Sequence, residues 1–160
     1  MKSYTADICD KYPNDVQVVA PHFKSYGGVS MCHGEITTIK LFEDNKALVE
    51  LLRDNRGDGK ICVVDVVGEY CAVVGETLMG YAYHNGWQGI IINGYVRDTH
   101  QTTQIPVGLW AIGTYPFKSQ KKAQAQLNTT LNFGDVEFRV GEFVYADRDG
   151  IVVTKEDIVL

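Results

Sequence analysis

The stretch KICVVDVV, residues 60–67, decides the fold, because it is a nearly continuous apolar run with the length of a buried strand. Such a strand is covered on both faces, as in the parallel or mixed sheets of α/β proteins. The following stretch GETLMGYAYHNG, residues 75–86, predicts a helix from about Glu76 to Asn85 with Gly86 as its stop. WQGIIING, residues 87–94, predicts the next buried strand. Together these stretches predict a right-handed βαβ crossover with parallel strands.

The flanking sequence extends this unit in both directions. GEITTIKLFED, residues 34–44, alternates like a strand, and NKALVELLRDN, residues 45–55, has helical spacing with Asp44 or Asn45 as candidate cap. The first 33 residues are mixed and turn-rich. The second half of the chain predicts short strands joined by Gly and Asp turns: VGLWAIGTYPF, LNTTLNF, VEFRVGEFVYAD and GIVVTKED. We therefore expect one α/β domain over residues 1–160, with a mixed sheet and a β-rich C-terminal half.

Composition narrows the class of protein. The chain has 160 residues, a net charge of −5 and a pI near 5.3, so we do not expect it to bind nucleic acid directly, because such proteins carry a basic stripe. No apolar run has the length of a membrane span, and the N-terminus lacks a signal-peptide core, so we expect a cytoplasmic protein. Its four cysteines have no metal-type spacing and are expected to be free thiols. A catalytic pair of Cys32 and His33 is disfavoured, because adjacent strand residues face opposite ways.

Polar residues stand at the predicted carboxyl ends of the βαβ strands, where α/β proteins bind ligands. VGETL, residues 74–78, begins the helix, and GYVRD, residues 94–98, follows the strand that is expected to end at Asn93–Gly94. Glu76, Arg97 and Asp98 could therefore share a pocket with the free backbone N–H groups of residues 75–78. Arg97 is suited to a carboxylate and Asp98 to Mg²⁺ or Mn²⁺. On residue type alone, an idle surface ion pair of Arg97 and Asp98 is the more frequent arrangement.

Other candidates are weaker. His100 lies two residues after Asp98 and could reach the same pocket, whereas the remaining histidines have no ligand spacing and are expected to be structural or solvated. KSQKKAQAQ, residues 118–126, predicts a solvated loop rather than a nucleic-acid patch. Asp147, Asp149 and Gly150 predict a β-turn between two strands.

Five segments of the chain resemble one known family. They are TADICDKYPNDVQVV, GEITTIKLFEDN, KICVVDVVGE, NGWQGIIINGYVRD and NFGDVEFRVGEFVYADRDGIVV. Their order and spacing are similar to those of the family that contains the regulator of ribonuclease activity A and the class II 4-hydroxy-4-methyl-2-oxoglutarate aldolases. The similarity spans nearly the whole chain. It implies a swivelling β/β/α domain in a ring-shaped homotrimer, with active sites at the subunit interfaces.

The resemblance also implies roles for individual residues. The metal-dependent aldolases of the family carry an acidic residue at a helix start, then twenty residues, then Arg-Asp, and Glu76 with Arg97 and Asp98 matches this spacing. By resemblance, Asp98 binds the divalent metal and Arg97 contacts the substrate carboxylate and C4 oxygen. The backbone of Gly75, Glu76, Thr77 and Leu78 would cradle the 2-oxo acid, and Glu76 would hold a water that takes the hydroxyl proton.

Two functions therefore follow from the resemblance. The first is metal-dependent aldol cleavage to pyruvate, with oxaloacetate decarboxylation as a side activity. The second is a non-catalytic regulator that binds ribonuclease E and inhibits RNA degradation. Family members of that kind tend to lose the Asp after the Arg, so the presence of Asp98 favours the enzyme.

The chain departs from the aldolase pattern at several positions. Gln101 stands where a further acidic residue is frequent, and Val66, Val67 and Cys71 replace residues of a glycine-rich loop. The stretch QKKAQAQLNTT also lacks the glycines of its relatives. A protein with neither activity is the third alternative that these departures leave open.

Overall fold

The computed structural model describes residues 4–68, 70–120 and 124–158. Its helices are α1 (Tyr4–Lys11), α2 (Lys46–Asp54), α3 (Glu76–His84) and α4 (Thr99–Thr102). Its strands are β1 (Val16–Val18), β2 (Lys24–Ser25), β3 (Cys32–Phe42), β4 (Ile61–Val67), β5 (Ala72–Val74), β6 (Gly89–Val96), β7 (Gly108–Thr114), β8 (Ala125–Leu127), β9 (Leu131–Phe133), β10 (Val136–Phe138), β11 (Phe143–Ala146) and β12 (Ile151–Thr154).

One large mixed sheet organises the described chain, in the order β1-β12-β11-β3-β4-β6-β7-β2. The strands β3, β4, β6 and β7 are parallel neighbours, whereas β11, β12 and β1 continue the sheet antiparallel. The predicted parallel pairing of the 60–67 and 87–94 strands is therefore confirmed. The predicted α/β class with a mixed sheet and a β-rich C-terminal half is confirmed as well.

The sheet is covered on both faces, as the apolar character of β4 requires. On one face Leu48 and Leu52 of α2 and Leu78 and Met79 of α3 pack in one apolar core. On the other face the core includes residues of β9 and β10, among them Phe138, which form a separate two-stranded sheet. The parallel strands are therefore held between two buried apolar cores.

The strand β6 does not end at Asn93–Gly94, so that prediction is wrong. It runs to Val96, and its register against β7 shifts between Ile92 and Tyr95. Three steps along β6 match two along β7, so β6 carries one extra residue, as in a β-bulge. The side chain of Asn93 donates to Asp65 Oδ1 at 2.9 Å, and a Cβ on Gly94 would lie 2.8 Å from Val66 Cγ2. The Asn-Gly pair is thus built into the sheet.

A short strand that the sequence pattern did not predict completes this edge. β5 pairs in parallel with the last residues of β6, beyond the point where β4 stops pairing with β6. Val74 ends β5, Gly75 follows, and α3 begins at Glu76. The backbone N–H of Arg97 donates to the carbonyl of Val74 at 3.0 Å. The start of α3 and the end of β6 therefore lie side by side.

The predicted helices are found with small shifts in their ends. Asp44 caps α2, because its Oδ1 accepts the N–H of Lys46 at 2.9 Å, whereas Asn45 makes no side-chain cap. Gly86 follows α3 with a positive φ of 73°, which a glycine adopts without strain. The predicted turn after β11 is present, since Asp147 Oδ1 accepts the N–H of Asp149 at 2.9 Å.

Two expectations from sequence need correction. The first 33 residues are not merely turn-rich, because they contain α1, β1 and β2. The helix α1 buries few apolar side chains, and Thr5 attaches it to Asp147 through bonds of 2.9 and 2.7 Å. The 118–126 segment is not simply a solvated loop, since Ser119 is buried and residues 125–127 belong to β8, which pairs with β3. Residues 121–123 of it lie outside the described residues. None of the helices described here is both long and apolar enough to cross a membrane.

The cysteines Cys9, Cys32, Cys62 and Cys71 are free thiols, as predicted. Cys32 is buried and His33 is exposed, so the two do not form a catalytic pair. Burial raises the pKa of the Cys32 thiol from 9.0 to about 12, and it raises the pKa of Cys62 to about 12. Neither thiol can therefore supply a thiolate nucleophile near neutral pH.

These thiols give a prediction for alkaline pH. Near pH 9.0, iodoacetamide should label Cys32 and Cys62 about five hundredfold more slowly in the native protein than in urea, because a far smaller fraction of each thiol is ionised. Because their folded pKa lies above the unfolded one, their contribution to stability is complete below pH 9.0 and is lost as the pH rises towards 12. Peptide mass spectrometry after timed labelling checks this. Equal native and unfolded rates would contradict the burial of these two side chains.

Candidate active site

A cleft of about 410 Å³ opens where the ends of β5 and β6 meet the start of α3. Its lining residues come from four places in the chain: the loop before α2 (Asn45), β5 and the start of α3 (Ala72, Val73, Val74, Gly75, Thr77, Leu78), the end of β6 (Arg97, Asp98), and the segment after β7 (Phe117, Lys118, Ser119, Gln120). This is the carboxyl edge of the parallel strands, where α/β sheets bind ligands.

The carboxylate of Asp98 is fixed against the N-terminus of α3. Its Oδ2 accepts the backbone N–H of Glu76 at 3.0 Å, so it supplies the side-chain acceptor that Gly75, the N-cap residue, does not have. Asp98 itself has a positive φ of 58°, which Asp tolerates better than most residues. A Cβ on Gly75 would lie only 2.4 Å from Oδ2 of Asp98. The position of this carboxylate therefore depends on a glycine at position 75.

Arg97 is adjacent to Asp98, but its guanidinium lies near the carbonyl of Pro116 and not at the start of α3. Its side chain passes Gly75, with Cγ 3.5 Å from the site of a Cβ there, and Nη1 donates to the carbonyl of Pro116 at 3.4 Å. Within residues 4–68, 70–120 and 124–158, Arg97 and Asp98 form no ion pair with each other or with other side chains. The idle surface ion pair considered from the sequence is not the arrangement found. Both charged groups instead face the cleft.

Lys118 is a cleft residue that the sequence pattern does not reveal. The pattern predicts a solvated loop, yet Lys118 lines the cleft together with Ser119, whose backbone N–H donates to the carbonyl of Ala72 at 3.1 Å. The parallel pairing of β7 with β6 brings the residues after β7 to the same edge as Arg97. A sequence signal for this was the apolar stretch 107–113, which could have been assigned to a third parallel strand.

The other predicted site residues are distributed as follows. Gly75, Thr77 and Leu78 line the cleft, whereas the exposed side chain of Glu76 is not among the lining groups and takes part through its backbone N–H. His100 and Gln101 are exposed on α4, outside the lining. Of the positions that depart from the aldolase pattern, Val66 and Val67 end β4 and are not among the residues that line the cleft, and Cys71 lines a neighbouring pocket.

The charges of the cleft favour an anion. Arg97 and Lys118 contribute two positive charges against the single negative charge of Asp98, and the backbone N–H groups at the start of α3 add a positive helix end. A cation bound here would have Asp98 as its protein ligand, since the described residues contain no group of three or more His, Cys, Asp and Glu side chains placed to hold a metal. The cleft thus suits a small carboxylate next to a cation held by one carboxylate.

Comparisons with known proteins agree with one another on the family. Residues 5–153 match the model of the RraA-like family, described as Aldolase/RraA. A protein of Hahella chejuensis named "Putative 4-hydroxy-4-methyl-2-oxoglutarate aldolase" is 43% identical over 159 residues, which cover 99% of this chain and 96% of the relative. A protein of the same name from Pseudomonas aeruginosa (strain LESB58) is 44% identical over 157 residues, covering 98% of this chain and 96% of the relative.

Solved structures share the fold across the full length. The RNA-processing inhibitor RraA from Thermus thermophilis has a TM-score of 0.93 at 33% identity, covering 99% of this chain and 96% of that one. A protein from Geobacillus kaustophilus described as S-adenosylmethionine: 2-dimethylmenaquinone methyltransferase has a TM-score of 0.91 at 39% identity, covering 99% and 97%. The names of these relatives describe three different activities, so the geometry of the site has to select among them.

Proposed function

This chain belongs to the RraA-like family, and we propose that it is a divalent-metal-dependent aldolase that cleaves 4-hydroxy-4-methyl-2-oxoglutarate to pyruvate. We propose oxaloacetate decarboxylation as a side activity, because both reactions pass through the enolate of pyruvate. The names of the relatives at 43 to 44% identity support the aldolase assignment.

One observation carries the proposal: the carboxylate of Asp98 is held at the start of α3 while one of its oxygens remains available. Oδ2 accepts the N–H of Glu76, and Oδ1 accepts no hydrogen bond from the described residues. The bond to Glu76 caps α3 and would serve any protein with this fold. The second oxygen leaves Asp98 able to bind a cation in the cleft, and on this we base a catalytic role beyond the cap.

The residues present fit a hydrated Mg²⁺ or Mn²⁺. Mg²⁺ is commonly bound by one or two carboxylates, with waters and substrate oxygens completing its shell, so Asp98 alone is sufficient on the protein side. When bound, the cation would act as a Lewis acid that stabilises negative charge on the 2-oxo group. Asp98 would hold it, and the adjoining backbone would position the substrate carboxylate.

The chain's own residues account for the remaining chemistry. Free N–H groups at the start of α3 would bind the C1 carboxylate of the substrate. Arg97 would bind the C4 oxygen, and Lys118 would neutralise a second carboxylate. The C4 hydroxyl loses its proton to a water as the C3–C4 bond breaks, its electron pair enters the enolate, and C4 becomes the carbonyl of one pyruvate. We propose that Glu76 holds this water, which requires its exposed side chain to turn towards the cleft. Protonation of C3 then completes the second pyruvate.

We also propose a cytoplasmic homotrimer built from one RraA-like domain over residues 1–160. The family resemblance supports the trimer, and the free thiols are typical of a reducing compartment. Light scattering should give three times the chain mass of 17.8 kDa. A monomeric mass would contradict the trimer.

The aldolase proposal is tested by coupling pyruvate formation to lactate dehydrogenase. Purified protein is assayed with 4-hydroxy-4-methyl-2-oxoglutarate and with oxaloacetate, after treatment with EDTA and after addition of Mg²⁺ or Mn²⁺. We expect turnover that EDTA abolishes and either metal restores. Metal-independent turnover would contradict the role of Asp98, and no turnover with either metal would contradict the enzyme.

The second candidate function is regulation of RNA turnover through binding of ribonuclease E. It is supported by the TM-score of 0.93 to the RNA-processing inhibitor RraA and by the net charge of −5, which suits basic segments of a partner. Capture of ribonuclease E on the immobilised protein, combined with no turnover of either 2-oxo acid, would favour this function over the aldolase.

A further inference from the structure

A second pocket adjoins the cleft and shares three of its lining residues. It has a volume of about 250 Å³ and is lined by Glu43, Tyr70, Cys71, Tyr115, Phe117, Lys118 and Gln120. Phe117, Lys118 and Gln120 line the cleft as well, so the two spaces meet along this segment. We call this second space the annex. A ligand bound at Asp98 and Arg97 could extend past Lys118 into it.

The walls of the annex are aromatic. Tyr70 and Tyr115 lie 6.0 Å apart between ring centroids, and both contact Tyr95 of β6, at 5.3 and 6.3 Å. Tyr70 is 70% exposed, Tyr115 37% and Phe117 68%, so their rings are available to a ligand. Rings at these separations leave edges and faces that a further ring can pack against.

The aromatic rings of the annex pack against Tyr95, which belongs to the central sheet. The ring of Tyr95 lies over Gly113 of β7, where a Cβ would be 3.2 Å from its Cε1. Tyr70 meets this ring edge-on, at an interplanar angle of 87°. The supporting ring is thus held by the central parallel strands, and the exposed rings rest on it.

The annex also has charged groups in its wall. The side chain of Glu43 packs against Gly68, where a Cβ would lie 2.2 Å from its Cγ. Glu43 and Lys118 line the annex beside the aromatic rings.

We infer that the annex is a substrate subsite for a flat, aromatic group on C4, so that the protein also cleaves 4-hydroxy-2-oxo acids that carry an aromatic substituent there. The inference rests on the proposed aldolase function and deepens it. A cavity of about 150 Å³ is enough to hold benzene, so the annex has room for a phenyl ring. Tyr70 and Tyr115 are the residues that would recognise the ring.

The reaction is balanced for the phenyl substrate. In 4-hydroxy-2-oxo-4-phenylbutanoate the C3–C4 bond breaks, the C4 hydroxyl proton leaves, and the bonding pair enters the enolate. Protonation of the enolate at C3 gives pyruvate, and C4 becomes the carbonyl of benzaldehyde. No oxidant, reductant or further reactant is needed.

The test compares this compound with 4-hydroxy-4-methyl-2-oxoglutarate, which bears an anionic C5 carboxylate. The measured quantity is the ratio of kcat/KM for the phenyl compound to kcat/KM for the anionic one. Tyr115→Ala should lower the ratio about tenfold, because ring contacts are lost, and Tyr115→Phe should preserve it. Tyr83→Ala, whose ring is 53% exposed on α3 outside both spaces, is the matched control.

Each outcome decides the inference. An unchanged ratio in Tyr115→Ala would overturn it, and so would a change of oligomeric mass in Tyr70→Ala, because the rings would then cover a subunit contact. If the unaltered protein turned over neither compound, the proposed function would fail first. Calorimetric titration with phenylpyruvate and with pyruvate, each with Mg²⁺, would then decide the annex alone. About tenfold tighter binding of phenylpyruvate, lost in Tyr115→Ala, would support it, and equal binding would overturn it.

Discussion

Replacement of Asp98 by asparagine should lower kcat/KM for 4-hydroxy-4-methyl-2-oxoglutarate about a thousandfold while leaving the fold intact. The expected loss corresponds to removing a central electrostatic group from an active site. Asparagine keeps the size of the side chain, keeps an oxygen that can accept the N–H of Glu76, and adopts a positive φ as readily as aspartate does. The substitution therefore removes the charge and little else.

Two measurements separate loss of chemistry from loss of structure in Asp98→Asn. The midpoint of thermal unfolding should stay within about 2 °C of the parent protein, since a surface change of this kind alters stability by a few tenths of a kcal/mol. Addition of Mn²⁺ should produce a calorimetric binding signal in the parent and none in the variant. Asp10→Ala, an exposed carboxylate in α1, serves as control. Full metal-dependent activity in Asp98→Asn would refute its role as metal ligand.

Gly75→Ala should lower kcat/KM about a hundredfold through displacement of the Asp98 carboxylate. The added Cβ would lie 2.4 Å from Oδ2 and 3.2 Å from Cγ of Asp98, so the carboxylate must move and its bond to the start of α3 must lengthen. The backbone at Gly75, with φ −143° and ψ −157°, is extended and accessible to alanine. The effect is therefore expected in activity and metal affinity rather than in folding.

Gly80→Ala is the matched control for Gly75→Ala, because it makes the same change within α3 where no atom lies within 4 Å. Alanine is the better helix former, so this control should raise the free energy of unfolding by about 0.5–1 kcal/mol and leave kcat/KM unchanged. Urea unfolding and steady-state kinetics of both variants check the pair. Equal activity of the two variants would show that the space above Gly75 has no catalytic role.

The sequence was informative where its periodicity was strong. The runs that became β4, α3 and β6 are long and apolar, so their pairing and the ligand edge after Val74 and Val96 could be predicted. The Asn93–Gly94 pair led to a wrong prediction of where β6 ends, because Asn-Gly is a frequent turn signal. Only the contacts with Asp65 and Val66 show that the pair lies at an irregularity within the strand.

Other features depend on contacts between distant parts of the chain. β5 has three residues, too few for a periodic pattern, and it exists because the end of β6 offers it a free edge. Lys118 could be placed at the cleft only once β7 was known to be parallel to β6. The helix α1 depends on Thr5 reaching Asp147, which is 142 residues away in sequence. These features depend on tertiary contacts, and a local sequence pattern does not show such contacts.

The extra residue of β6 also determines how this edge can change over evolution or in design. Side chains alternate between the two faces of a strand, so one residue gained or lost reverses every assignment that follows. The irregularity between Ile92 and Tyr95 lies just upstream of Arg97 and Asp98 and thus sets the phase in which they leave the sheet. Residues 93–98 therefore behave as one unit, in which substitutions are tolerated more readily than insertions or deletions. A design that placed only Arg97 and Asp98 at the end of a regular strand would contain both functional groups. Their side chains would leave the sheet in a different direction.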